Sequence, residues 1–168
     1  MTVQSLRDLF VYELRGMYYT ETQLVEALDD MALDATEDEV TEAFAEHRDE
    51  TRTQIDRLER VFAAIEEEPE MREVAMVDAL VQEREEFLSQ VTDPDLRNLF
   101  YLGAGVKTER IEISGYEHLL VLAERLDMPD DASDLLEENL DEEEAALKKL
   151  KSMTQEGQLS SLIARLTG

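Results

Sequence analysis

Four polar residues stand at helical seam positions where an apolar residue is expected. Glu21 lies between Met17 and Leu24, His47 between Phe44 and Thr51, Glu109 between Val106 and Ile113, and Glu143 between Leu140 and Leu147. Steps of three and four put such positions on the inward face of a helix. One turn on, Glu50 and Glu112 reach the same space, and Glu142 flanks Glu143. Carboxylates converging in an apolar interior repel one another and resist leaving water. Two divalent cations remove that difficulty. Oxygen ligands with one imidazole suit iron, then manganese, with zinc a third option. Calcium is disfavoured, because imidazole serves it poorly and no Asp-x-Asp-x-Asp-Gly loop occurs. The expected ligand set is Glu21, His47, Glu50, Glu109, Glu112, Glu142 and Glu143. The alternative is a loosely specified bundle with partly exposed seam charges, which four seam exceptions at matching depth argue against.

Tyr18 and Tyr116 fall within a turn of these residues. Core packing is the default for both, with hydrogen bonding to the site as the alternative. His118 falls off its seam and is assigned to the surface. The runs Glu66-Glu67-Glu68 and Asp141 to Glu144 read as solvated faces, apart from Glu142 and Glu143. Gly103-Ala104-Gly105 reads as a close helix crossing, since glycine otherwise weakens a helix.

Elements that could position these groups follow from periodicity and punctuation. Ser5 and Asp8 form an N-terminal capping signal, and apolar residues recur to Met31, giving a first helix over 5–31. Thr36 and Glu39 open a second over 36–67, ended by Pro69. A shorter amphipathic stretch spans 71–90. Asp93-Pro94 starts a long helix over 94–126, and a fifth runs over 132–153. Leu159 to Leu166 is expected to add a last turn or two. Two helical hairpins joined by a long crossover that carries a short helix make one all-α domain over 1–168. This is the connectivity of a ferritin-like four-helix bundle of two antiparallel hairpins. The hairpins also resemble each other: Leu6-Arg7-Asp8-Leu9-Phe10 recurs as Leu96-Arg97-Asn98-Leu99-Phe100. Likewise Phe44-x-x-His47-x-x-Glu50 matches Leu136-x-x-Asn139-x-x-Glu142. The midpoint of Glu21 and His47 is residue 34, inside the first turn, so the two are expected to be level. Glu112 and Glu142 are centred on residue 127, at the second turn.

Composition narrows the functions. The 168 residues carry 42 acidic against 16 basic side chains, a formal charge of −26. Nucleic-acid binding is excluded by that sign. Only Lys107, Lys148, Lys149 and Lys151 are lysines, a balance suited to molar internal salt, where screening shrinks to about 3 Å. A disordered or calcium-buffering acidic protein is set aside because 43% of residues are hydrophobic and regularly spaced. No cysteine is present, which excludes disulfides, thiolate sites and cysteine nucleophiles. No apolar run reaches a membrane span, and residues 1–8 lack the marks of a signal peptide, so a cytoplasmic location is expected.

Leu6 to Phe10 with Glu13-Leu14, Glu46-His47 with Glu50-Thr51, Glu109-x-x-Glu112-x-x-x-Tyr116, and Leu135 to Glu138 with Leu140-x-Glu142-Glu143 together resemble the YciF-like stress proteins, the DUF892 family of the ferritin-like superfamily. The resemblance spans nearly the whole chain. It implies a fold similar to rubrerythrins and ferritins, a homodimer, and metal-ligand roles for Glu21, His47, Glu50, Glu109, Glu112 and Glu142. The chain departs from the family pattern at Gln54 and Arg110, where histidine is common, and it lacks the usual pair of Glu-x-x-His motifs. A role in oxidative or general stress is expected, with a small oxidant such as peroxide or oxygen as reaction partner. The absence of cysteine removes the rubrerythrin route, in which a Cys-rich iron site carries electrons. Non-catalytic metal binding, or a structural stress protein with a vestigial site, is the alternative.

Overall fold

A computed structural model of the chain describes residues 2–155. They form five helices: α1 (Leu6–Asp34), α2 (Asp38–Ala64), α3 (Ala75–Leu88), α4 (Pro94–Arg125) and α5 (Asp130–Gln155). No strand occurs among the described residues. The turn expected over Leu159 to Leu166 lies outside them. α1 packs on α2 and α4, and α5 packs on α2 and α4. Contacts at opposite chain ends make every neighbouring pair antiparallel. Arg7 near the start of α1 donates to the Ile65 carbonyl beyond α2, and Tyr101 near the start of α4 donates to Asp34 at the end of α1. Gly105 of α4 faces Leu150 of α5.

The helix ends follow local chemistry. Ser5 and Asp8 close a complete capping box at the start of α1. The Asp93 carboxylate caps α4 ahead of Pro94. Thr36 does not cap α2, which starts after Glu37 without a side-chain cap. Instead the Thr36 hydroxyl accepts the Asn98 amide at 2.9 Å, tying the first turn to α4. α2 stops at Ala64, short of the expected position 67. Glu66 takes a left-handed conformation, φ 58°, and the Glu67 amide donates back to the Phe62 carbonyl at 2.9 Å. α4 ends in the same way at Asp127, φ 51°, with Met128 donating to Ala123 at 3.1 Å.

The crossover is clasped to the bundle rather than left loose. The Arg72 amide donates to the Arg15 carbonyl at 3.1 Å, and its Nε donates to the Tyr12 carbonyl at 2.9 Å. The guanidinium lies 3.8 Å from the centre of the Tyr12 ring. Gly16 makes room for it, since a Cβ there would meet Arg72 Nη2 at 2.2 Å. α3 then lies against α1 and α4, with Val77 buried and Phe87 stacked on Phe100 at 4.0 Å.

Each long helix presents a stripe in strict four-three alternation. In α4 it reads Asn98, Leu102, Gly105, Glu109, Glu112, Tyr116, Leu119, Ala123, all buried. Of the seam expected through Leu99, Leu102, Val106, Ile113, Tyr116 and Leu120, Leu102 and Tyr116 are buried and the other four are half-buried. In α5, Leu140 and Leu147 are likewise half-buried, and Asn139 takes the inward place. Of the α4 glycines, Gly105 and Gly115 mark close crossings, where a Cβ would meet Leu150 of α5 at 2.9 Å and the Met17 sulfur of α1 at 2.4 Å, whereas Gly103 faces open space. Two apolar clusters result. One gathers Phe10, Leu14, Leu58, Phe62, Leu119 and Leu136; the other gathers Leu28, Met31, Val40, Phe44, Tyr101 and Leu102.

Candidate metal centre

Between those clusters the inward positions are polar. Glu21, His47, Thr51, Gln54, Glu109, Glu112, Asn139 and Glu143 are all buried. They form a column along the bundle axis. At one end the Asn139 amide donates to the Tyr116 hydroxyl at 2.9 Å, and that hydroxyl donates to Glu21 at 2.5 Å. Glu21 touches Glu112, and Glu109 touches Glu143. At the far end His47 Nε2 lies 3.1 Å from Glu109 and 3.9 Å from Glu143. One ligand atom from each of His47, Glu109, Glu112 and Glu143 lies within 4.8 Å of the others.

The structure thus brings together five of the seven expected ligands and sets two aside. Glu142 turns away to form a two-pronged pair with Arg57, at 2.7 and 2.8 Å. Its carboxylate also accepts the Gln54 amide at 3.2 Å. Glu50 stands at the rim, half exposed, 3.7 Å from His47 Nδ1. Glu21 and His47 are not level. α1 runs on to Asp34, so the first turn is centred beyond residue 34. With the turn centred on residue 36, Glu21 faces the height of Thr51. That is about one turn further along α2, roughly 6 Å from the expected level. The second hairpin keeps the expected register, as the Asn139–Tyr116 bond shows. Tyr18 bonds to Glu59 at 2.8 Å, away from the column. Tyr116 belongs to the column, and His118 is exposed.

Arg57, Asn139, Gln54 and Thr51 are polar partners that seam reasoning passed over. Thr51 and Gln54 continue the four-three stripe from His47, and Asn139 takes the place of His47 in the repeat between hairpins. Those spacings were the available signals.

The electrostatics are those of carboxyl groups out of water. Burial pushes Glu21 up to about 7, against the lowering effect of the Tyr116 hydroxyl and of His47. Burial, then the neighbouring carboxylates, push Glu112 well above the ordinary range. Glu143 moves the same way, for burial first and Glu21 next. Burial works against protonation of His47, but contacts with Glu109 and Glu50 outweigh it and hold the imidazole well above 6.5. The carboxyl–carboxyl contacts each require a shared proton. Once those protons leave, Glu21 Oε2, Glu109 Oε2 and both oxygens of Glu112 and of Glu143 have no hydrogen-bond donor. His47 Nδ1 has no hydrogen-bond partner. Buried acceptors without donors are costly, and a divalent cation satisfies several at once. The donor set therefore fits hard or borderline metals.

Fold and column define an all-α protein with a buried carboxylate–histidine cluster. Residues 5–162 match the family model described as domain of unknown function DUF892, and the chain belongs to that family. It is 31% identical over 157 residues to Protein YciF of Escherichia coli (strain K12), an alignment covering 91% of this chain and 92% of that protein. A solved structure described as YcfI, a putative structural protein from Rhodopseudomonas palustris, superposes with TM-score 0.86 at 32% identity, covering 89% of this chain and 95% of that one. The crystal structure of the E. coli stress protein YciF gives 0.84 at 29% identity, covering 90% and 95%. Among the described residues no helix is long and apolar enough to cross a membrane.

Proposed function

We propose that the column is a di-metal site, for iron ahead of manganese, in a ferritin-like protein that acts in oxidative or general stress. His47, Glu109, Glu112 and Glu143 would hold the cations, with Glu21 supporting Glu112 from the Tyr116 end. The observation that carries this reading is the set of buried carboxylate oxygens without donors, facing one another across three helices. Four glutamates gathered in a core serve packing badly, and aliphatic residues would stabilise the same positions. Iron held by His47, Glu109, Glu112 and Glu143 would supply the electrons for reduction of peroxide to water. The protons shared between carboxyl groups in the column would be released on binding. A homodimer is part of the same reading.

One observation favours a second reading, a structural protein with a vestigial site. A column that keeps its shared carboxyl protons is tolerable without metal, and the R. palustris relative is described as a putative structural protein. Elemental analysis of protein from its native host, with anaerobic Fe(II) titration followed by peroxide, separates the two. Under the metal reading two ions bind per chain and oxidise quickly. His47→Ala and Glu143→Gln then lose most of the affinity, while Glu86→Ala on α3 behaves as wild type. Absence of bound metal in native protein, with no uptake in titration, would leave the structural reading. Uptake of two ions without accelerated oxidation would leave sequestration without turnover.

A further inference from the structure

The column is closed on most sides. Glu21 and Tyr116 are fully buried where α1 and α4 meet, and apolar clusters lie above and below. A separate apolar cavity under α3, lined by Leu24, Met31, Val77 and Phe100, includes none of the polar column residues. A cavity of about 160 Å³ between α2 and α5 is lined at its floor by His47 and Glu109 and at its mouth by Glu46, Glu50 and Lys149, with the Arg57-bound Glu142 also on its lining. Ala43, Ala145 and Ala146 line its walls, so the gap exists because these side chains are small. The buried His47 ring spans floor to mouth. Nε2 faces Glu109 at 3.1 Å. Nδ1 has no hydrogen-bond partner and faces the half-exposed Glu50 at 3.7 Å. Across the mouth, Lys149 of α5 pairs with Glu46 of α2 at 2.5 Å.

On the reading of the column as a metal site, we propose that this opening is the port through which divalent cations reach it. Glu50 is the transfer ligand that receives a cation from solvent and passes it to His47. The Glu46–Lys149 pair is the bolt. The rim carboxylates focus positive charge into a narrow, low-dielectric gap, which raises the arrival rate of cations. The bolt is solvent-exposed on both sides, and exposed pairs of this kind are weak, so it opens readily. Glu50 is too exposed to be a resident ligand of the buried cluster, yet it is placed to meet an ion before His47 does.

The test is anaerobic stopped-flow mixing of the full chain with Co(II), read by quenching of tyrosine fluorescence, with equilibrium affinity measured by calorimetry. Ala146→Leu narrows the port, Glu50→Gln removes the transfer charge, and Lys149→Ala removes the bolt. The first two are expected to slow uptake about tenfold and the third to speed it several-fold, with each Kd staying within about threefold of wild type. Wild-type uptake rates in both Ala146→Leu and Glu50→Gln would overturn the port. A weakened Kd in Glu50→Gln would make Glu50 a resident ligand and overturn its transfer role. No Co(II) binding to wild type would instead remove the metal reading, port included. Circular dichroism checks each variant, and if Ala146→Leu fails to fold, the two rim variants decide.

Discussion

The Tyr116 hydroxyl donates to Glu21 at 2.5 Å while accepting the Asn139 amide at 2.9 Å, so one buried phenol joins α4 to both α1 and α5. The bond favours ionised Glu21 against the raising effect of burial. Tyr116→Phe removes that donor and leaves Glu21 without it in the core. A loss of about 1–3 kcal/mol is expected for the metal-free protein. Glu21 should then keep its proton to higher pH. Calorimetric metal titration in two buffers of different ionisation enthalpy should show more protons released per ion bound than in wild type.

Metal-free protein should lose stability as pH rises. Glu21 moves from 4.5 to about 7 on folding, and Glu112 and Glu143 move further in the same direction. Above about pH 4.5 the folded state therefore holds protons that the unfolded chain has released. Stability is full below that point and falls until each folded value is passed. His47 adds in the same sense above 6.5, since its folded value is also raised. Each unit of displacement is worth about 1.4 kcal/mol. Urea midpoints in chelator and high salt, measured at pH 5, 6, 7 and 8, should decline, and Glu143→Gln should flatten the slope. A midpoint that rises across this range would contradict the protonated column.

Glu142 should behave as a structural residue. Its two bonds to Arg57 link α2 and α5 at a partly buried position. Glu142→Gln is expected to cost about 1 kcal/mol in a urea melt. Equilibrium metal affinity should change little. A loss of affinity comparable to that of His47→Ala would show that Glu142 swings inward when metal binds.

Salt should stabilise the fold. The net charge of −26 on 168 residues is self-repelling in dilute buffer. The melting temperature should climb steadily as salt is raised from physiological to molar concentration, where the screening length falls to about 3 Å. Full stability in dilute buffer would show that local ion pairs such as Arg97–Asp34 and Arg48–Asp29 suffice.

The helix count and the second hairpin's register were legible because capping residues and prolines punctuate the chain sharply. Within α4 the inward face was harder to read. Asn98, Gly105, Glu109, Glu112 and Tyr116 occupy it, so hydropathy pointed to Val106 and Ile113 one residue away. The four seam exceptions Glu21, His47, Glu109 and Glu143 nonetheless all proved buried, because a charged residue interrupting an apolar alternation is a stronger signal than the alternation itself. Glu142 and Glu50 were not separable from Glu143 and Glu112 by spacing alone. Arg57, which claims Glu142, sits on α2, far away in sequence. The level of Glu21 depended on where the first turn lies, and a helix overrun of three residues past Met31 moved it.

The polar column also divides the interior. Phe10, Phe62 and Leu136 belong to one apolar cluster and Phe44, Tyr101 and Leu102 to the other, and carboxyl groups occupy the waist between them. Two half-cores joined through a waist of weakly attractive, protonated groups need not melt together. In the metal-free protein at neutral pH, the calorimetric enthalpy of unfolding should exceed the van't Hoff value, as expected when halves unfold semi-independently. A cation held by ligands from α2, α4 and α5 would stitch the halves into one cooperative unit, and the two enthalpies should converge on loading. Metal would then decide not only how stable the bundle is but how many pieces it comes apart in.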